Sequence, residues 1–147
     1  MLEKELERLY RLVRLRHYQR LFGRIRERDG SLSATEAFAC DVVYLLGTPT
    51  IKQLAEALGI SQSNASYKVN NLTAKGYIRR VEPGDDKRES RITVADRFYN
   101  YYDTGTAFLA DAAARLRESF SPEELETFEK MVRALDSYMN GDRAVEE

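Results

Sequence analysis

The chain has no tryptophan, one cysteine, one histidine and three prolines among its 147 residues. Each scarcity excludes something. A single cysteine cannot build an internal disulfide framework, so a reducing compartment, the cytoplasm, is the expected setting. One cysteine with one histidine cannot supply a Cys/His zinc site, and no cofactor or metal is expected. No apolar run approaches the roughly 20 residues that a bilayer span needs, and the start, Met1-Leu2-Glu3-Lys4-Glu5, lacks a signal-peptide core. No nucleophilic triad, phosphate loop or pair of catalytic carboxylates is legible, so an enzyme is not expected. What remains is 43% apolar and 32% charged, a balance that suits one globular domain with a sizeable core.

The formal net charge of −1 hides a strong asymmetry. Residues 1–30 carry +4, residues 31–60 carry −2, residues 61–91 carry +3 and residues 92–147 carry −6. A nearly neutral chain of this kind can still offer a polyanion one positive surface.

Periodicity and caps predict a mainly helical chain. Leu2, Leu6, Leu9 and Val13, continued by Tyr18, Leu21 and Ile25, read as an amphipathic helix ending near Asp29-Gly30. Ser33 with Glu36 is a capping-box pattern that opens a second helix running to Leu46. That helix is apolar on more than one side, so it is expected to be central and buried. Asp41 lies within it, and the sequence names no partner for this acid. Cys40 reads as a core residue and His17 as a surface or packing residue.

Thr48-Pro49 breaks the chain, and Thr50 with Gln53 repeats the capping pattern. A short helix bearing Ile51, Leu54, Ala55 and Leu58 stops at Gly59. Ser61 caps the next helix, with Ala65, Val69 and Leu72 turned inward and Gly76 ending it. A short helix, a tight turn containing glycine and a second helix make a helix-turn-helix. Residues 77–81 and 90–94 are short β-branched runs joined by a polar Pro83-Gly84 loop, which predicts a hairpin, or wing. Phe98, Tyr102, Gly105, Leu109, Ala112 and Leu116 then mark a long helix that Gly105 weakens in the middle. Ser121-Pro122-Glu123-Glu124 starts a last helix with Leu125, Phe128, Val132, Leu135 and Met139 at coiled-coil-like spacing.

The helix after Ser61 exposes Gln62, Ser63, Asn64, Ser66, Tyr67 and Lys68. No acid occurs between Glu56 and Glu82. Amide and hydroxyl side chains without acids suit base edges and phosphates in a major groove. Asn64-Ala65-Ser66 and Asn71-Leu72-Thr73 match the glycosylation pattern only by chance, since no secretory signal precedes them. In the wing, Lys87 and Arg88 are placed to reach a minor groove, and Asp86 and Arg91 to hold the loop's shape. Tyr18, Phe98, Tyr99, Tyr101 and Tyr102 could line a ligand pocket, although core packing explains them as well. The first helix and the last two need partners for their apolar stripes, and a two-fold dimer supplies them.

Taken together, Leu32-Ser33 with Glu36, the run Thr50 to Ser61, Ala65-Ser66 with Val69 and Leu72, Lys75-Gly76-Tyr77-Ile78-Arg79-Arg80 and Asp86-Lys87-Arg88 resemble the MarR family of winged-helix regulators over residues 32–97. The resemblance implies an α+β fold: mainly α, with a winged helix-turn-helix core and a small β-hairpin wing between long N- and C-terminal dimerisation helices. It implies a homodimer built from the N- and C-terminal helices. It further implies duplex DNA binding by Gln62 to Lys68, Lys87 or Arg88 in the minor groove, and release by a small aromatic ligand. The expected divisions are 1–30 for dimerisation, 31–95 for DNA and 96–147 for dimerisation again. The expected role is a repressor acting on a pseudo-palindromic operator. A winged-helix protein-interaction module, or a ligand sensor without DNA binding, stays open on the sequence alone. Val94-Ala95-Asp96-Arg97-Phe98 departs from the family's Leu-Thr-Glu-x-Gly, leaving Thr93 or Asp96 to cap the next helix.

Overall fold

Local capping decides where most of the helices begin. In a computed structural model that describes residues 1–25, 32–81, 90–101 and 107–141, the described elements are α1 (Leu2–Ile25), α2 (Ala34–Leu46), α3 (Ile51–Leu58), α4 (Gln62–Ala74), β1 (Ile78–Arg80), β2 (Ile92–Val94), α5 (Asp96–Tyr101), α6 (Ala107–Ser119) and α7 (Pro122–Asn140). Ser33, Thr50 and Ser121 each form a full capping box with the residue three positions on, and Ser61 accepts the Asn64 N–H at 3.1 Å. Gly59 adopts φ +66°, a left-handed conformation open to glycine at no steric cost, and this reverses the chain between α3 and α4. The chain divides into two compact units, Met1–Gly105 and Thr106–Glu147.

The first unit is built around the side chains of α2, α3, α4 and the hairpin. Val43, Leu54, Ala65, Val69, Leu72 and Ile92 are fully buried, joined by Cys40, Tyr77, Ile78 and Phe98. Burying each of the larger aliphatic side chains contributes about 1.5–3 kcal/mol. The two helices of the helix-turn-helix therefore lean on α2 and on the sheet rather than on each other alone. β1 and β2 pair antiparallel, with Ile78 opposite Val94 and Arg80 opposite Ile92. Residue alternation turns Ile92 and Val94 inward and Arg79 outward, and Arg80, although opposite Ile92, is exposed as well.

Two sequence expectations change. The second helix is central, with Ala37, Ala39, Cys40, Asp41 and Val43 buried over more than half of its circumference, but Phe38 at 42% and Leu45 at 72% exposure lie on an open flank. On α1, Leu21 is buried, and the exposed Leu9, Tyr10, Leu12, Val13, Leu15 and Phe22 are spread around the helix instead of lying along one stripe. Of the long helix expected across Gly105, α5 and α6 are described, and the Gly105 joint itself falls on residues 102–106, outside the described residues.

In the second unit, α6 and α7 form a helical pair, with Pro122 at the first position of α7 and Glu123 and Glu124 in its first turn. Neither helix has a fully buried residue, and Leu109, Phe120, Phe128, Met131, Val132, Tyr138 and Met139 are all exposed.

Candidate nucleic-acid interface

The interface starts from what α4 hides. Ala65, Val69 and Leu72 lie at zero exposure against the core, which fixes the rotation of the helix about its axis. At 3.6 residues per turn the opposite side then carries Ser63, Tyr67 and Asn70. All three are exposed, as are Gln62 and Asn64 near the helix start, while Ser66 and Lys68 are half-buried at the edges. Tyr67 stands out at 66% exposure. The residues singled out in the sequence, Gln62, Ser63, Asn64, Ser66, Tyr67 and Lys68, thus share one helix and reach solvent to differing degrees.

The start of α4 is electropositive. Its first turn holds no acid, whereas α2 and α5 each place one there and α7 two. Free N–H groups and the helix dipole favour an anion such as a phosphate at this end. Ser61 supplies the cap, and its hydroxyl also lies 3.2 Å from that of Ser63.

The far end of α4 is fastened by groups that sequence reasoning missed. Lys75 Nζ donates to both oxygens of Glu36, at 3.0 and 2.9 Å. The same Glu36 accepts the Ser33 N–H at 2.8 Å, so one carboxylate caps α2 and holds α4. Partial burial works to raise its pKa, but the Lys75 and Ser33 hydrogen bonds and the Lys75 charge outweigh burial, leaving it below the usual carboxylate range. Arg97, from the start of α5, donates to the Lys75 carbonyl at 2.5 Å and lies over the Tyr77 ring at 4.7 Å. A cation on the last carbonyls of a helix satisfies orphan acceptors and complements the dipole. The capping-box pattern announced Glu36, but nothing in the sequence linked it to Lys75 or placed Arg97.

The hairpin is bound to the turn before α3. Arg91 Nη1 donates to the Thr48 carbonyl at 2.9 Å, and Thr93 Oγ1 donates to that of Gly47 at 3.1 Å. The Ile92 N–H donates to the Pro49 carbonyl at 3.0 Å, and Arg91 bridges Thr50 across the backbone. Thr93, one of two candidate caps for α5, is thereby tied to the loop, and the first turn of α5 is closed by Phe98 N–H donating to the Ala95 carbonyl. Asp86, Lys87 and Arg88 lie outside the described residues.

Of the aromatic set, Phe98 is a core residue, 5.4 Å from Tyr44 and 5.7 Å from Tyr99 between ring centres. Tyr18 is half-exposed and packs edge-on to His17 at 5.7 Å. The Tyr101 side chain and Tyr102 lie outside the described residues. His17 also supplies the partner that Asp41 lacked: its Nε2 is 3.5 Å from the Asp41 carboxylate, joining α1 to α2. Cys40 is buried, and burial together with Glu36 and Asp41 pushes its thiol up to about 12, the opposite of an activated sulfur. Among the described residues no group of three or more potential metal ligands occurs.

Comparison with known proteins agrees with this geometry. The model of the MarR family matches residues 41–89, from α2 through the helix-turn-helix into the wing. YkoM of Bacillus subtilis, an HTH-type transcriptional regulator, is similar at 25% identity over 128 residues, covering 83% of this chain and 82% of that protein. Among solved structures, a MepR variant from a multidrug-resistant S. aureus clinical isolate shares the fold with a TM-score of 0.58 at 17% identity, covering 91% of this chain and 96% of that one. Streptococcus pneumoniae FabT, solved in complex with DNA, gives a TM-score of 0.56 at 19% identity, covering 95% and 98%. A helix-turn-helix seated on α2, a hairpin pinned beside it and these likenesses converge on one fold: the chain is built as a winged helix, and its residues 41–89 match the MarR family.

Proposed function

We propose that the protein is a sequence-specific duplex-DNA-binding transcriptional regulator that works as a homodimer. One observation carries the reading. α4 is clamped at its buried side and at its C-terminal end, while its open side is polar and free of acids from end to end. A solvated helix face has no need of such immobility, whereas a groove-reading helix must be held in register. Gln62, Ser63, Asn64 and Tyr67 meet base edges in this reading, and Ser66 and Lys68 meet the backbone. Lys87 and Arg88 reach the neighbouring minor groove, with Asp86 and Arg91 as wing supports. A pseudo-palindromic operator follows from two-fold symmetry.

The dimer is supported by apolar side chains that one chain leaves uncovered: Leu12 and Phe22 on α1, Phe128, Met131 and Val132 on α7. Residues 1–30 and 96–147 serve assembly and residues 31–95 serve DNA. Repression by occupying a promoter, in the cytoplasm where that DNA lies, completes the role. A small aromatic ligand settling against Tyr99, half-exposed beside Tyr44, is the release signal. No described helix is long and apolar enough to cross a membrane. The reading is of a binding protein and not an enzyme.

The experiment is a gel shift with the protein's own upstream region. A shift whose log affinity falls by about 0.9 per neutralised phosphate for each unit of log salt supports the proposal. Absence of a shift at low salt, with intact fold, sinks it in favour of a protein-docking winged helix.

A further inference from the structure

The exposed side of α4 has a composition more particular than polar. Around Tyr67 it presents the amides of Asn64 and Asn70 and the hydroxyl of Ser63, with the Gln62 amide exposed at the helix start. It holds no arginine, and its one cation is the half-buried Lys68, since Lys75 at the end of the helix is held by Glu36. It holds no aspartate or glutamate. Each base has its own major-groove partner chemistry. Guanine O6 and N7 are read by Arg or Lys, cytosine N4–H by an acid, adenine N6 and N7 by Asn or Gln, and the thymine methyl by apolar contact. The acid that would read cytosine is missing from this surface and the cation that would read guanine is reduced to Lys68 at its half-buried edge, whereas the two chemistries well represented there belong to one base pair.

We propose that α4 reads A·T pairs in the major groove, its Asn and Gln amides pairing with adenine and the Tyr67 ring lying against thymine methyl groups. The proposal rests on the DNA-binding reading above and adds what the operator half-site must contain. Tyr67 sits opposite the buried stripe of Ala65, Val69 and Leu72, with two thirds of its surface open to solvent. A planar ring there offers apolar area that Ser63 and the amides lack. With so few charges on the helix, discrimination comes from hydrogen-bond pattern and methyl contact, and phosphate attraction is left to the dipole and to cations elsewhere.

The test uses the full-length protein on duplexes selected from a random pool, with binding followed by fluorescence anisotropy. Selected half-sites are expected to carry A·T pairs at their most constrained positions. Replacing one such pair by inosine·cytosine gives it the major-groove face of G·C while keeping the A·T minor groove. Replacing adenine by 2,6-diaminopurine does the reverse. The first change is expected to weaken binding on the order of tenfold, the size of a lost bidentate contact. The second should leave affinity within about twofold. Replacing thymine by uracil removes the methyl group alone; it should weaken the wild type several-fold and leave Tyr67→Ala unaffected, a readout that a merely structural tyrosine would not change. Constrained G·C pairs, or a diaminopurine penalty as large as the inosine penalty, overturn the proposal while leaving DNA binding intact. Failure to bind any duplex at low salt overturns the DNA-binding reading and this one with it.

Discussion

α4 and α6 are both 13 residues long and both carry apolar residues at helical spacing, yet they end in opposite circumstances. α4 buries Ala65, Val69 and Leu72 completely, because α2, α3 and β1 all pack on it. α6 buries none of its residues fully, and its partner α7 exposes Phe128, Met131 and Val132. Apolar periodicity therefore says that a helix has a face to cover, and only the neighbours decide whether its own chain covers it. The α2–β2 region is self-sufficient. The α6–α7 pair leaves its apolar side chains uncovered, the surface on which the proposed homodimer rests.

That contrast can be broken most forcefully at Leu72. Leu72→Ala opens a cavity in a fully packed site and should cost about 2–5 kcal/mol in urea denaturation. Leu109→Ala, at a half-exposed position of α6, should cost under about 0.5 kcal/mol in dilute solution. Equal losses would erase the distinction between the two regions. Next in size, Val132→Asp should leave the core's cooperative unfolding intact while converting the species seen by sedimentation to a single chain. Operator affinity should then fall by tenfold or more, as the second recognition helix is lost. A Val132→Asp protein that stays dimeric would mean that α7 is not the seam.

Smaller effects sharpen how the reading helix is held. Glu36→Gln leaves Lys75 without its counter-charge and should cost roughly 1 kcal/mol at neutral pH, a modest figure because Lys75 keeps partial access to water. Since Glu36 titrates lower when folded than when unfolded, its contribution is present above the ordinary carboxylate range and fades as pH falls through its folded pKa. The stability gap between wild type and Glu36→Gln should accordingly shrink in acid; a gap independent of pH would mean that the pairing is not ionic. Arg97→Ala should cost about 1 kcal/mol through loss of the α4 end contact and the Tyr77 stacking, and Arg97→Lys should recover only part of it. The slightest change is expected at Cys40. With its thiol pushed up to about 12, it should resist iodoacetamide at pH 8 until denaturant exposes it, and alkylation of the native protein would contradict its burial.

Much of the fold was legible because its signals are local. The Ser33–Glu36, Thr50–Gln53 and Ser121–Glu124 boxes span three residues each and mark helix starts without reference to anything distant. The inward set of α4 follows from period alone, and with it the outward set. Illegible were the contacts between residues far apart in sequence. Glu36 meets Lys75 across 39 positions, Arg91 meets Thr48 across 43, and His17 answers Asp41 from another helix. Phe38 and Leu45 misled for the same reason: their residue types said buried, but the core leaves that flank of α2 open.

The hairpin's three ties to Gly47, Thr48 and Pro49 carry a mechanical consequence. The strand leading out of the wing is lashed to the turn that launches α3, so the spacing between wing root and reading helix behaves like the fixed jaws of a caliper. A duplex whose grooves are too wide or too narrow for that gauge must itself yield, and its stiffness then enters the recognition as much as its letters do.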